Sequence, residues 1–188
     1  MGAGFDSFIV RQPAFARDLA IVEIDHPATQ ALKRRRLDEC GVPVPPNVRF
    51  VAADLAAEPV ADVLGRAGVS RTAPAFFAWL GVTVYLSRDA NRATLAAIAA
   101  ASAPGSELVF TYVDARVLDR LRAHRAAPDE PWVSGFDPAS LPSGLAALGL
   151  RLVEDLDGTA LAARYAGALV PGRAGHVARA EVRRPPPH

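Results

Sequence analysis

The sequence of 188 residues has few of the features that direct a chain to a membrane, an oxidising compartment or nucleic acid. It contains a single cysteine, Cys40, so no disulfide bond can form within the chain, and this favours a reducing compartment. It has no apolar run of about 18 residues. The formal net charge of +1 provides no bulk attraction to nucleic acid or to an anionic membrane. We therefore expect a cytoplasmic protein without membrane or nucleic-acid partners.

Several motifs that carry chemistry are also missing. The four histidines are scattered and lack the Cys/His/Asp spacing of a metal site, so we predict no bound metal and interpret them as structural or surface residues. No Gly-x-x-x-x-Gly-Lys-Ser/Thr loop is present to cradle a triphosphate. Ser7 does not lie in a Gly-x-Ser-x-Gly turn, which leaves a serine hydrolase unsupported.

The composition that remains is that of an ordinary globular protein. Hydrophobic residues make up 51% of the chain and charged residues 22%, and the length suits a single domain. Short apolar runs alternate with helical patterns, and strands are predicted near residues 19–25, 48–53, 76–80, 107–113, 150–156 and 176–182. This alternation predicts an α/β fold with a doubly wound, mostly parallel sheet. The short separation of the last two strands predicts an antiparallel edge.

A glycine pair and two acidic strand ends form the strongest candidate site. Glycine lacks a Cβ and tolerates positive φ, so the Gly2-Ala-Gly4 turn allows close approach of a ligand. Asp25 follows Gly4 by 21 positions, near the offset of about 20 for an acid that binds ribose hydroxyls. Asp54 and Leu55 end the next strand, where an adenine amino group could bind. The third glycine of the dinucleotide fingerprint is absent, which disfavours a nicotinamide cofactor.

The helix predicted over residues 27–39 carries a run of basic residues, Lys33-Arg34-Arg35-Arg36. Helical periodicity places Ala28, Ala31, Leu32 and Leu37 inward and the basic run largely outward. Because no aromatic residues interleave the run, a solvated helix face is favoured over a phosphate or RNA patch.

Several segments in order carry a family resemblance. They are Gly2-Ala-Gly-Phe-Asp-Ser7, Val22-Glu-Ile-Asp25-His-Pro27, the helix with Lys33-Arg34, Val48-Arg-Phe-Val-Ala-Ala-Asp54-Leu55, the segment from Phe76 to Leu86, and Trp132-Val-Ser-Gly-Phe-Asp-Pro138, with Val153-Glu-Asp-Leu156 and Ala163-Arg-Tyr165 extending the match. In this order and spacing they resemble the leucine carboxyl methyltransferase family, and more narrowly its bacterial branch of S-adenosylmethionine-dependent methyltransferases. The resemblance covers nearly the whole chain.

The resemblance implies a class I methyltransferase fold, which is Rossmann-like, and S-adenosylmethionine as the methyl donor. By position, Gly2 and Gly4 would lie beside the methionine part, Asp25 would hold the ribose hydroxyls, and Asp54 with Leu55 would hold the adenine. The implied reaction is methyl transfer to an oxygen, carboxylate or hydroxyl, of a small molecule or a peptide carboxylate. Neither the catalytic base nor the oligomeric state is assigned.

The family also has a helical region and a first strand before the glycine turn. The resemblance therefore implies that residues 1–182 form a methyltransferase domain without these parts, and that Met1 is an internal or misassigned start. Residues 183–188 are expected to form a disordered tail. Two alternatives stay open, an inactive remnant and an NAD(P)-dependent Rossmann oxidoreductase.

Overall fold

The computed structural model of the chain describes residues 1–118, 120, 131–165 and 175–183. The chain is divided into two compact units, Met1–Gly68 and Val69–His188. The strands form two sheets, a two-stranded sheet in the first unit and a four-stranded sheet in the second. Strands and helices alternate along the chain as the sequence predicted. The expected tail lies outside the described residues except for Arg183.

The first unit is built on two parallel strands. Its elements are α1 (Phe8–Arg11), β1 (Ile21–Asp25), α2 (Pro27–Glu39), β2 (Val48–Ala52) and α3 (Val60–Arg66). The strands pair from Ile21 opposite Val48 to Asp25 opposite Ala52, so their carboxyl ends lie at the same edge of the sheet. The apolar core of this unit includes Ile9, Ile24, Val51, Val63 and Leu64.

Helix α2 begins as predicted but buries a different face. His26 caps it by accepting a hydrogen bond from the Ala28 amide on Nδ1 at 3.3 Å, and Pro27 occupies the first helical turn. The residues of this helix that are buried are Gln30 and Lys33, whereas Ala28 and Ala31 are exposed. The outward placement predicted for Lys33 is therefore wrong. The reason lies in β1, where the buried Glu23 needs a cation beside it.

The second unit contains a mixed sheet. Its elements are β3 (Phe76–Trp79), α4 (Arg88–Ala101), β4 (Glu107–Val113), α5 (Leu141–Ala146), β5 (Leu150–Asp157), α6 (Gly158–Arg164) and β6 (Gly175–Val182). The strand order is β3-β4-β6-β5, and β3 is parallel to β4. Strand β6 is antiparallel to both β4 and β5, which confirms the predicted antiparallel component at this side of the sheet.

Aromatic packing forms the centre of the second unit. Phe110 lies on β4 and is fully buried, with ring centroids 6.3 Å from Trp79, 6.0 Å from Tyr112 and 5.8 Å from Phe136. Large buried rings of this kind dominate the energetics of a core. In the described parts of the chain, no helix is long and apolar enough to span a lipid bilayer.

Candidate functional site

The glycine turn lies at the carboxyl end of β1. The amides of Gly2 and Ala3 donate to the Ile24 carbonyl at 2.8 and 3.3 Å, and the Asp6 amide closes the turn onto the Ala3 carbonyl at 2.9 Å. Gly2 and Gly4 have φ of 64° and 48°, a region that favours glycine. A Cβ built on Gly4 would meet no atom within 4 Å. The turn is therefore held against the strand while the space over Gly4 stays open.

Asp25 joins the turn, the strand end and the start of α2. Its Oδ2 accepts a hydrogen bond from the Gly4 amide at 2.5 Å, and its Oδ1 accepts one from the His26 amide at 2.7 Å. Its carbonyl accepts a further bond from the Ala53 amide at 2.8 Å. The two oxygens of a carboxylate offer about four lone-pair sites. Capacity therefore remains on this half-buried carboxylate for additional donors.

Asp54 and Leu55 follow β2 at the same edge. The Oδ1 of Asp54 accepts a hydrogen bond from the Ala56 amide at 2.9 Å, and its own amide donates to Oε1 of Glu58 at 2.9 Å. The side chain of Leu55 is buried in the core. Because β1 and β2 are parallel and in register, Asp25 and Asp54 follow strand ends that lie side by side. The structure thus brings Asp25 into contact with the Gly2–Gly4 turn and places Asp54 on the neighbouring strand end.

A buried ion pair between Lys33 and Glu23 contacts Asp6, the residue that closes the turn, and the sequence analysis did not predict this pair. Lys33 Nζ donates to Glu23 Oε1 at 2.6 Å and to the Asp6 carbonyl at 2.6 Å. The two side chains are only 6% and 8% exposed. Burial raises the pKa of Glu23, and the hydrogen bond from Lys33 opposes that rise. The available signal was a lone acid inside the apolar run Ile21-Val-Glu-Ile, followed by a basic residue ten positions later.

A second polar cluster, also missed, lies in the four-stranded sheet. Tyr112 donates its hydroxyl to Asp155 Oδ2 at 2.6 Å, and His176 Nδ1 lies 3.1 Å from Asp155 Oδ1. The Tyr112 and His176 rings are stacked with centroids 4.6 Å apart. Burial and the neighbouring Asp155 raise the pKa of Tyr112. Across the described ranges there is no group of three or more His, Cys, Asp or Glu side chains that could hold a metal ion.

A family profile and individual relatives both match this chain, and both describe methyltransferases. The leucine carboxyl methyltransferase profile matches residues 1–99. The "Putative S-adenosyl-L-methionine-dependent methyltransferase YktD" of Bacillus subtilis is 32% identical over 165 residues, which cover 83% of this chain and 54% of YktD. A relative of the same description in Mycolicibacterium vanbaalenii is 33% identical over 63% of this chain and 38% of its own length. The chain spans about half the length, or less, of these relatives.

Solved structures show the same fold at low sequence identity. An O-methyltransferase family protein from Burkholderia thailandensis superposes with a TM-score of 0.63 at 14% identity, covering 99% of this chain and 50% of the other. Magnesium protoporphyrin IX methyltransferase from Synechocystis, solved with bound S-adenosylhomocysteine, gives a TM-score of 0.57 at 13% identity, covering 97% and 71%. The class I methyltransferase fold expected from the sequence is thereby confirmed. With the profile match and the identity to YktD, these findings show that the chain belongs to the leucine carboxyl methyltransferase family.

Proposed function

We propose that this chain binds S-adenosylmethionine at the Gly2–Gly4 turn and that the protein methylates an oxygen atom of a small acceptor in the cytoplasm. The observation that carries the proposal is the hydrogen bond from the Gly4 amide to Asp25, which places a strand-end carboxylate beside an open glycine turn. Family membership supports the choice of methyl donor over a nicotinamide. A solved neighbour of the same fold contains S-adenosylhomocysteine.

The residues present suit this donor. The open space over Gly4 would admit the methionine part, because no Cβ projects into it. Asp25 has acceptor capacity left for the ribose hydroxyls after it binds the Gly4 and His26 amides. Asp54, on the neighbouring strand end, would accept from the adenine amino group, and Leu55 would adjoin the ring. These assignments follow the order of the two strands in the sheet.

Methyl transfer from a sulfonium needs little acid–base catalysis from the protein. A sulfonium methyl group is already activated, so the chain's residues mainly bind and orient the reactants and exclude water. A carboxylate acceptor, on a small molecule or a peptide, is ionised at neutral pH and needs no general base. A hydroxyl acceptor would need one. The proposal is therefore O-methylation of a carboxylate or a hydroxyl, and a carboxylate is the acceptor for which the protein needs no general base.

Calorimetric titration of the chain with S-adenosylhomocysteine tests the site. We expect Asp25→Ala to weaken binding at least tenfold, because hydrogen bonds to a charged acceptor are worth roughly 1.5–3 kcal/mol each. Asp25→Asn, which keeps one acceptor oxygen, should have a smaller effect. Asp38→Ala removes an exposed acid of α2 and serves as the matched control.

Two results would contradict the proposal in different ways. Unchanged affinity in Asp25→Ala would refute the site while leaving the donor open. Binding of NAD with no binding of S-adenosylhomocysteine by the unaltered chain would instead refute the methyltransferase function and favour the oxidoreductase alternative.

A further inference from the structure

We infer that Lys33 is a positioning residue, which holds the glycine turn in place through its hydrogen bond to the Asp6 carbonyl. This inference rests on the proposed function, since it concerns the same binding turn. The ammonium of Lys33 contacts that carbonyl and the Glu23 carboxylate at 2.6 Å each. It thereby joins the centre of β1 to the residue that closes the turn.

This contact of Lys33, called the clamp below, adds to the hydrogen bonds that hold a glycine-rich segment in place. On one side, Asp25 accepts from the Gly4 amide, and on the other, Lys33 donates to the Asp6 carbonyl. Two glycines in three residues make the turn costly to order, because glycine loses more backbone entropy than any other residue. Fixing both ends of the turn before a ligand arrives lowers the entropy cost of binding. Lys33 touches no proposed ligand position and would act through the backbone alone.

The identity of this residue is also informative, because Lys33 is the only lysine in the chain. The other 20 basic residues are arginines, the neighbouring Arg34, Arg35 and Arg36 among them, and these three are exposed. A lysine ammonium is a compact charge with three donors, whereas a guanidinium is a broad planar fork. The space between Glu23 and the Asp6 carbonyl receives a single nitrogen that bonds to both. That geometry suits the compact ammonium of lysine.

The carboxylate of Glu23 is the counter-charge of Lys33 in this buried ion pair. A buried lysine without a counter-charge would be strongly destabilised, so Glu23 keeps the ammonium in place. The pair therefore has two separable effects, namely stability of the fold and position of the turn. Replacing both residues by neutral ones removes the buried charges together, but it does not restore the hydrogen bond to Asp6.

The test uses the double variant Glu23→Gln/Lys33→Met, with Arg35→Met as the control on the exposed face of the same helix. Circular dichroism establishes that the variants fold. Backbone amide exchange by NMR then reports on the Gly4 and Asp6 amides, and calorimetry reports on S-adenosylhomocysteine. In the double variant we expect exchange at Gly4 and Asp6 to be at least tenfold faster, with exchange in β2 unchanged. Binding should weaken at least tenfold.

A measurement on the unaltered chain complements the variants. Acetic anhydride can modify only one lysine, so mass spectrometry follows Lys33 directly. We expect acetylation of Lys33 to be at least a hundredfold slower than that of a free lysine, and to slow further when S-adenosylhomocysteine is bound.

Different results separate the two proposals. Wild-type exchange at Gly4 and Asp6 in the folded double variant would refute the clamp, as would acetylation of Lys33 at the rate of free lysine. If the unaltered chain binds no S-adenosylhomocysteine, the proposed function fails, and the exchange and acetylation rates still decide the clamp.

Discussion

The two units stabilise their sheets by different means. In the first unit, two short strands carry a glycine turn that is tied down by polar groups, chiefly Asp25 and the Lys33–Glu23 pair. In the second unit, a four-stranded sheet carries a core in which aromatic rings pack around Phe110. A two-stranded sheet is only marginally stable by itself, so the first unit also depends on apolar residues such as Ile24, Val51 and Leu64 that pack in its core. The candidate site lies in the unit with the smaller sheet, and individual hydrogen bonds hold its turn.

The largest effect should come from breaking the aromatic core. Phe110→Ala removes a fully buried ring and should lower the free energy of unfolding of the second unit by about 3–5 kcal/mol. Phe76→Ala, at a ring 65% exposed in the same sheet, should change it by less than about 0.5 kcal/mol. Urea titration followed by tryptophan fluorescence measures both variants. Equal losses in the two would show that the rings are not the main source of stability here.

A smaller effect is expected from a polar contact beside that core, the hydrogen bond between Tyr112 and Asp155. Tyr112→Phe removes the hydroxyl that bonds to Asp155, and should lower the free energy of unfolding by roughly 1.5–3 kcal/mol at neutral pH. His176 remains beside Asp155 in the variant and limits the damage.

Tyr112 also predicts how stability responds to alkali. Its pKa is raised in the folded state, so its contribution is fully present below the unfolded pKa of about 10 and is lost as pH rises above that value. Urea titrations between about pH 9 and 11 should therefore show a steeper loss in the unaltered chain than in Tyr112→Phe, by up to about 1.4 kcal/mol per pH unit. Parallel curves would contradict the assignment.

The smallest effect concerns a polar latch of the first unit. Asn47 donates from Nδ2 to the carbonyls of Ala16 and Leu19 at 3.0 and 2.9 Å, and so holds the segment that leads into β1. Asn47→Ala should cost about 1–2 kcal/mol, since these partly exposed hydrogen bonds are lost together with those to the Gln12 side chain. Asp18→Ala, at an exposed residue of the same segment, is the control. A change in Asn47→Ala no larger than in the control would weaken the contrast between the two units.

Most of the secondary structure, and the placement of the candidate site at the ends of β1 and β2, could be predicted from local sequence patterns. Apolar runs with acidic ends marked β1 and β2, and the structure has them at Ile21–Asp25 and Val48–Ala52. The spacing of Gly4 and Asp25 predicted a turn beside a carboxylate, and the two residues share a hydrogen bond. These features depend on residues close in sequence or on the register of adjacent strands, which alternation and turn residues specify.

What the sequence by itself determined was the alternation of elements, the parallel pairing of β1 with β2 and of β3 with β4, and the residue types at the strand ends. Tertiary structure alone decided which face of α2 is buried and which polar groups meet. Helical periodicity placed Lys33 in solvent, but the buried carboxylate of Glu23 in β1 required a cation, and this requirement outweighed the apolar pattern of the helix. Tyr112, Asp155 and His176 come from three strands and meet only because β6 lies between β4 and β5. Charge compensation in a low-dielectric interior is a property of contacts, and neither helical periodicity nor strand alternation specifies those contacts.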